Sequence, residues 1–162
     1  MTKRIVTKIG DVFCIVVDNS YKRYFQYIAN DINDLNSSTI RVFQKNYSLD
    51  SNPTLDEIVS DDIEFYTHTI LRNGIVSGLW QKIGKCPNVG DVNSVMFRWP
   101  KGRSSLTNKY DEWYVWHINE DEKDIVKLTK EYEETTYIGG VYPPAWIVER
   151  IQYGKWTCTF PF

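Results

Sequence analysis

A tight Gly-Asp turn followed at once by an apolar run is the feature that most constrains how this chain can fold. Gly10 and Asp11 supply the backbone freedom and the side-chain acceptor of a turn, and residues 12–17 form an apolar, β-branched series. Such a short run predicts a buried strand. The turn formers Asp-Asn-Ser come next, and residues 21–29 are rich in Tyr, Phe and Ile. We therefore expect the chain to open with a β-hairpin.

The rest of the chain predicts further strands and two helices. Strands are expected at residues 39–45, 63–71, 75–83, 95–99, 112–118 and 156–160, with an Asn-Gly hairpin turn at residues 72–74. Helices are expected at residues 53–59, with Thr54 and Glu57 as a capping box, and at residues 143–154, between Pro and Gly. Residues 125–132 fit both a helical and a strand pattern, and a short strand at 125–128, paired with the preceding one, is the preferred interpretation.

These elements predict one α+β domain over residues 1–162, made mainly of antiparallel, strongly twisted β-sheet with one or two packed helices. The length of 162 residues supports one sizeable core, and an aromatic content of 15% favours β structure. Pro100 is expected to end a strand, and residues 101–105 are the most linker-like stretch. An extension over about residues 106–162 is therefore expected to pack on the first part.

Charge and cysteine content exclude several classes of protein. The formal net charge of −2 argues against a protein that coats nucleic acid or an anionic membrane. The three cysteines are odd in number and far apart, so a secreted disulfide framework is not expected. The N-terminal residues contain no apolar signal segment, and no apolar run approaches about 20 residues. We therefore expect a cytoplasmic protein.

The residue types that usually carry catalysis form no recognisable motif here. His68 and His117 lie in aromatic-rich strands, and their spacing matches no zinc motif. Cys14 and Cys158 are interpreted as packed side chains, whereas Cys86, in a turn before Pro87, is expected to be more exposed. We therefore predict no catalytic residue, no metal and no cofactor, and a binding protein rather than an enzyme. A pocket that joins either histidine to a carboxylate would favour an enzyme.

Two acidic clusters are the candidate binding residues. Residues 50–64 and 111–134 are rich in Asp and Glu, and aromatic residues flank both stretches. A solvated surface is the ordinary interpretation of such clusters, but acidic groups beside aromatic rings also suit a basic protein partner. The candidate contact residues are Asp61, Asp62, Glu64, Tyr66, Glu120, Asp121 and Glu122. The aromatic residues considered as contacts are Tyr66, Trp80, Trp99, Tyr110 and Trp113.

The order of motifs in the first hundred residues resembles immunity protein 26, a bacterial family linked to polymorphic toxin systems. The resemblance rests on the Lys-Ile-Gly-Asp-Val-Phe-Cys-Ile segment, the Tyr-Lys-Arg-Tyr-Phe-Gln-Tyr-Ile strand, Gly-Leu-Trp-Gln-Lys-Ile-Gly at residues 78–84 and Val-Met-Phe-Arg at residues 95–98. It covers about residues 5–99. Residues 77–79 are less regular than the family pattern, and residues 110–162 match only loosely.

The resemblance implies an α+β protein that binds and neutralises a cognate toxin domain without catalysis. It implies no catalytic residues and no location for the toxin contact. If the toxin is a basic nuclease, residues 50–64 and 120–134 are the natural contact faces. The alternative function is a nucleic-acid or glycan-binding module that uses exposed Trp and Tyr as stacking platforms, although the net charge disfavours nucleic acid.

Overall fold

Two β-sheets and four short helices make up the fold in the computed structural model, which describes residues 3–33, 35–103 and 110–158. The strands are β1 Asp11–Val17, β2 Tyr21–Asp31, β3 Ser37–Phe43, β4 Ile63–Thr69, β5 Gln81–Lys85, β6 Met96–Arg103, β7 Tyr110–His117, β8 Lys123–Ile125, β9 Tyr137–Ile138 and β10 Val141–Tyr142. The helices are α1 Leu55–Val59, α2 Leu71–Val76, α3 Lys130–Thr135 and α4 Pro144–Tyr153, and residues 92–94 form a 3₁₀ turn. The predicted α+β class is confirmed.

The six-stranded sheet has the order β10-β4-β3-β2-β1-β5, and the four-stranded sheet has the order β8-β7-β6-β9. Most neighbouring strands are antiparallel, as expected, but β10 pairs with β4 and β9 pairs with β6 in parallel. The two halves of the chain are interleaved, because β10 completes the sheet formed by the first half and β6 pairs with β7.

Several predicted elements are confirmed. The opening hairpin forms with Phe13 opposite Phe25, and the centroids of their stacked rings lie 4.9 Å apart. The capping box forms at α1, where the Thr54 side chain accepts from the Glu57 amide and the Glu57 carboxylate accepts from the Thr54 amide. Helix α4 ends at Tyr153 and is capped by Gly154, whose φ of 71° lies in the left-handed region that glycine tolerates.

The predicted Asn-Gly hairpin is wrong, because Asn73 and Gly74 lie inside helix α2. The indole of Trp80 packs directly against Gly74, and its Nε1 donates to the Leu71 carbonyl oxygen at 3.0 Å. Tertiary packing therefore overrides the local turn preference. The predicted return strand at 75–83 is likewise replaced by β5, which pairs with β1 rather than with β4.

Three predictions in the second half also need correction. Pro100 does not end its strand. It lies opposite Trp113 of β7, and the β6 residues that pair with β9 on the other side are Phe97 and Arg98. Within the described residues, no strand on that side needs an amide donor at position 100, so proline is tolerated. The short strand β8 pairs with β7 as expected, but it covers residues 123–125 rather than 125–128. Helix α3 begins at Lys130, so the helical pattern applies to the end of this stretch. Residues 156–158 form no strand, and residues 159 and 160 lie outside the described ranges.

Buried apolar side chains cover both faces of the six-stranded sheet. On one face, Phe25 and Phe65 pack in a cluster that includes Ile147 and Ile151 of α4. On the other face, residues of β1 and β2 pack with Ile58 of α1 at one end of the sheet. At the other end, Ile28 joins Phe97 and Trp116 of the four-stranded sheet. This last cluster joins the two sheets and includes Trp116, which also lines a cavity of about 680 Å³.

Candidate binding site

A cavity of about 680 Å³ opens between the four-stranded sheet and the segment that leads into α4. One wall is set by strand register. Trp99 of β6 lies opposite Tyr114 of β7, and Trp116 follows two residues later on the same face of β7. All three side chains line the cavity.

The opposite wall depends on two adjacent glycines. A Cβ atom at Gly139 would collide with the ring of Trp116, and Gly140 has a φ of 121° and lies close to Trp99. The chain therefore passes tightly over both indoles before it enters β10 and α4. Tyr142 and Trp146 then complete the ring of aromatic side chains. The remaining lining residues are Leu35, Glu122, Gly140, Val141, Pro143 and Cys158.

Trp116 is held in place by a buried polar network. Its Nε1 donates to Oδ2 of Asp31 at 2.9 Å, and Nε2 of His68 lies 3.0 Å from the same oxygen. The amide of Asn119 donates to Oδ1 of Asp31 at 3.1 Å. Asp31 and His68 are both fully buried. The orientation of the cavity wall is therefore set by hydrogen bonds as well as by packing.

The charge states in this network follow from burial and hydrogen bonding. Burial alone would raise the pKa of Asp31, but the hydrogen bonds from His68, Trp116 and Asn119 favour the carboxylate, and the net pKa is lowered. Burial lowers the pKa of His68 in spite of Asp31. His68 is thus a neutral donor through Nε2, and its buried Nδ1 has no hydrogen-bond partner among the described residues.

The mouth of the cavity carries one of the two predicted acidic clusters. Glu120, Asp121 and Glu122 are exposed in the turn between β7 and β8, and Glu122 lines the cavity. The turn is anchored at Asn119, whose side-chain oxygen accepts from the Ile32 amide at 2.8 Å. Among the described lining residues, Glu122 alone carries a charged side chain.

The other acidic cluster contains Asp61, Asp62 and Glu64 and lies at the start of β4. Most of its side chains already make contacts with other parts of the chain. Glu64 lies 3.4 Å from both Arg23 and Arg150. Asp61 accepts from the Lys45 amide at 2.7 Å. Tyr66 is half-buried against Tyr137, with ring centroids 4.9 Å apart.

Asp62 differs from the other predicted residues of this cluster. It is exposed, and its carboxylate makes no hydrogen bond among the described residues. Ile63 and Thr69 mark the two ends of β4, and Thr69 lies beside the strand end that carries Asp31. Six residue steps of a strand span about 20 Å. The two acidic clusters therefore form separate surfaces.

The histidine and cysteine side chains differ in burial and in the groups around them. His117 lines a separate cavity of about 260 Å³ with Glu120 and Asp121, which is the combination of a histidine and carboxylates that would favour an enzyme. Its Nδ1 lies 3.0 Å from the Val95 carbonyl oxygen, so the backbone orients the imidazole. Cys14 is buried as expected, and burial raises the pKa of its thiol. Cys86 is also buried, which corrects the expected exposure.

Among the predicted contact residues, Trp99 and Glu122 line the cavity, and most of the other lining residues were not predicted. Tyr114, Trp116 and Trp146 line it, whereas Trp80, Tyr110 and Trp113 do not. The segment Gly-Gly-Val-Tyr-Pro-Pro-Ala-Trp at residues 139–146 contains a usable signal, because glycine often marks a place where the backbone closely approaches another group. The role of Asp31 had no local signal, since its partners lie up to 88 positions away.

Comparison of the chain with protein-family models, curated proteins and solved structures finds no match. Within the described ranges, no group of three or more His, Cys, Asp or Glu side chains is arranged to hold a metal ion. The helices in those ranges are all too short or too polar to cross a membrane.

Proposed function

We propose that this chain is an immunity-type binding protein that neutralises a cognate toxin domain by covering its functional surface. The observation that carries the proposal is the acidic turn at residues 120–122 at the mouth of a pre-organised aromatic cavity. Aromatic anchors in a pocket are the usual source of binding energy at protein interfaces, and surrounding charges steer the encounter. The resemblance in residues 5–99 supplies the class of partner.

The acidic turn is the contact face that this proposal selects. Glu120, Asp121 and Glu122 are exposed and Glu122 lines the cavity, whereas Glu64 is already paired with two arginines. Exposed carboxylates raise the association rate with a basic partner and make it depend on salt. A basic nuclease toxin is the partner that fits this charge.

Growth rescue tests the proposal. The C-terminal domain of the protein encoded directly upstream would be expressed in cells with or without this chain. We expect the chain to restore growth and to copurify with that domain. Absence of a toxic neighbouring product, or absence of rescue by a well-expressed chain, would contradict the proposal.

Matched charge reversals test the contact face. Glu122→Lys is expected to weaken the complex about tenfold or more and to reduce the salt dependence of association. Asp62→Lys, an exposed reversal at the distant end of β4, is the control and is expected to bind as the wild type does. Equal effects of the two reversals would exclude the turn as the specific contact.

Glycan binding is the second candidate function, and the presence of two partly or fully exposed indoles, Trp99 and Trp146, around one cavity favours it. Indole faces stack on the apolar faces of sugar rings, and a neutral sugar tolerates the nearby carboxylates. Nucleic acid is disfavoured, because phosphate groups would meet the acidic turn. Titration with chitotriose, followed through the indole NMR signals, separates the glycan function from protein binding.

A further inference from the structure

The large cavity combines a neutral aromatic lining with one carboxylate at its mouth. Trp99, Tyr114 and Trp146 present ring surface, Trp116 lies buried in the lining, and Glu122 supplies the charge. The faces of such rings are electron-rich and attract cations, most strongly when water is excluded. A ligand with apolar surface and one positive group satisfies both parts of this lining.

We propose that the cavity receives a lysine or arginine side chain, with its apolar neighbours, from a segment of the partner protein. The alkyl part would lie against the indole rings and the cationic group would pair with Glu122. This inference rests on the proposed function for the identity of the partner, but the peptide chemistry can be tested without it.

The size of the cavity agrees with a short peptide segment rather than an inorganic ion. At about 680 Å³, its volume lies in the range of pockets that hold small organic ligands. A single ammonium ion would leave most of the aromatic surface exposed to water. A cationic residue with an apolar neighbour on each side would cover more of it, and burial of that surface contributes to binding.

The chain already contains one contact of this chemical type beside the cavity. Nζ of Lys101 lies 5.4 Å from the centroid of the Tyr114 ring and 2.8 Å from Oδ2 of Asp124. The ammonium group of Lys101 thus lies over an aromatic ring and also pairs with a carboxylate of β8. The pairing with Asp124 also offsets the charge of Lys101, so the acidic character of the mouth is retained.

Pre-organisation lowers the cost of binding at this cavity. The Trp116 indole is fixed through Nε1 by the buried carboxylate of Asp31, and Gly139 packs against the same ring. Rings that are already ordered lose little conformational entropy when a ligand arrives. Trp116 is only 4% exposed, so it is a fixed part of the lining, and the more exposed rings of Trp99, Tyr114 and Trp146 offer most of the ring surface.

Two peptides that differ in a single charge test the inference on the full chain. The probes are acetyl-Leu-Lys-Leu-amide and acetyl-Leu-Gln-Leu-amide, titrated while the indole N–H signals are followed by NMR. We expect the lysine peptide to shift the signals of Trp99, Trp116 and Trp146 and to bind about tenfold more tightly than the glutamine peptide. The Trp80 signal should not move, because that indole packs against α2 and does not line this cavity.

Two isosteric variants locate the charge that recognises lysine. Glu122→Gln is expected to remove the preference for the lysine peptide while the weaker binding of the glutamine peptide persists. Asp121→Asn removes a neighbouring charge that does not line this cavity, and it is expected to keep most of the preference. Both residues are exposed, so neither change should prevent folding.

Three results would overturn the inference. Equal binding of the two peptides would make the cavity an apolar site without charge selection. Unmoved signals for Trp99, Trp116 and Trp146 would mean that the peptide does not enter. A stronger response to chitotriose than to the lysine peptide would assign the cavity to glycans. Lysine-selective binding without growth rescue would instead leave this inference standing and contradict only the proposed toxin partner.

Discussion

At the scale of single residues, Trp116 connects the core to the candidate site. One edge of its indole donates to buried Asp31, its ring packs on Gly139, and it also lines the cavity. A polar group at the base of an aromatic wall costs desolvation, but it fixes the orientation of the ring. Changes at Asp31 are therefore expected to affect stability and binding together.

Replacement of Asp31 by asparagine is expected to lower the free energy of unfolding by about 3 kcal/mol. The new NH₂ group would face the N–H donors of His68 or Trp116, and the negative charge that strengthens all three hydrogen bonds would be lost. Urea unfolding measures the change. Asp121→Asn, the same substitution on the surface, should change stability by about 0.5 kcal/mol or less. A loss below about 1 kcal/mol for Asp31→Asn would contradict this account of the network.

Stability is expected to fall on acidification because of His68. Burial lowers its pKa below the ordinary value of 6.5, so below that pH the unfolded chain binds a proton that the folded chain does not. Its contribution is therefore complete above about pH 6.5 and decreases as the pH falls towards the lowered folded value. Asp31, whose pKa is lowered from 3.8, adds a second loss at more acidic pH.

Urea unfolding at pH 7.5 and pH 5.5 measures the contribution of His68. The wild-type chain should be less stable at pH 5.5, and His68→Gln should reduce the difference between the two conditions. An unchanged difference in that variant would assign the pH dependence to other groups.

At the scale of elements, helix α2 shows how packing selects a structure. Its sequence Leu-Arg-Asn-Gly-Ile-Val contains the dipeptide that usually forms a two-residue hairpin. Here Gly74 is required because the Trp80 indole lies where a side chain would project. The helix thus tolerates a poor helix former at the single position where a larger residue would collide.

Gly74→Ala is expected to destabilise the protein by about 2 kcal/mol, although alanine has a helix propensity about 1 kcal/mol better than that of glycine. The added methyl group would displace Trp80 and weaken its hydrogen bond to Leu71. Asn73→Ala, at the exposed neighbouring position, improves propensity without a collision and should be neutral or stabilising. Thermal or urea unfolding of both variants tests this, and a stabilised Gly74→Ala would show that Trp80 moves freely.

At the scale of the whole molecule, the two sheets share one buried cluster. Ile28 belongs to the six-stranded sheet, Phe97 and Trp116 belong to the four-stranded sheet, and all three pack together. Asp31 of the six-stranded sheet accepts hydrogen bonds from Trp116 of β7 and from Asn119 in the turn that follows β7. Separation of the sheets would expose this cluster and remove the hydrogen bonds that Trp116 and Asn119 donate to Asp31.

The two sheets are therefore expected to unfold as one cooperative unit. Urea transitions followed by the indole signals of Trp80 and Trp116 should have the same midpoint, because each reports on a different side of the shared core. Far-ultraviolet circular dichroism on the same samples provides an independent transition. Two separate midpoints would show that the sheets are independent folding units.

Much of the fold could be predicted from local patterns. The strands at residues 11–17, 21–31 and 37–43, the Thr54 capping box and helix α4 all carry short-range signals with a direct physical basis. The candidate site was harder to predict. Glu122 and Trp99 could be named from composition, but nothing local distinguishes Trp99 from buried Trp80, because exposure depends on what packs above each ring.

The amino-acid sequence by itself determined the α+β class, the opening hairpin, the limits of α4 and the acidic character of the turn at residues 120–122. Each depends on residues that are close along the chain. Only the tertiary structure decided that Asn73 and Gly74 are helical, that the two acidic clusters lie apart, and that Glu122 meets an aromatic cavity. Those outcomes depend on contacts between residues distant in sequence, whose free energies exceed local preferences of about 1 kcal/mol.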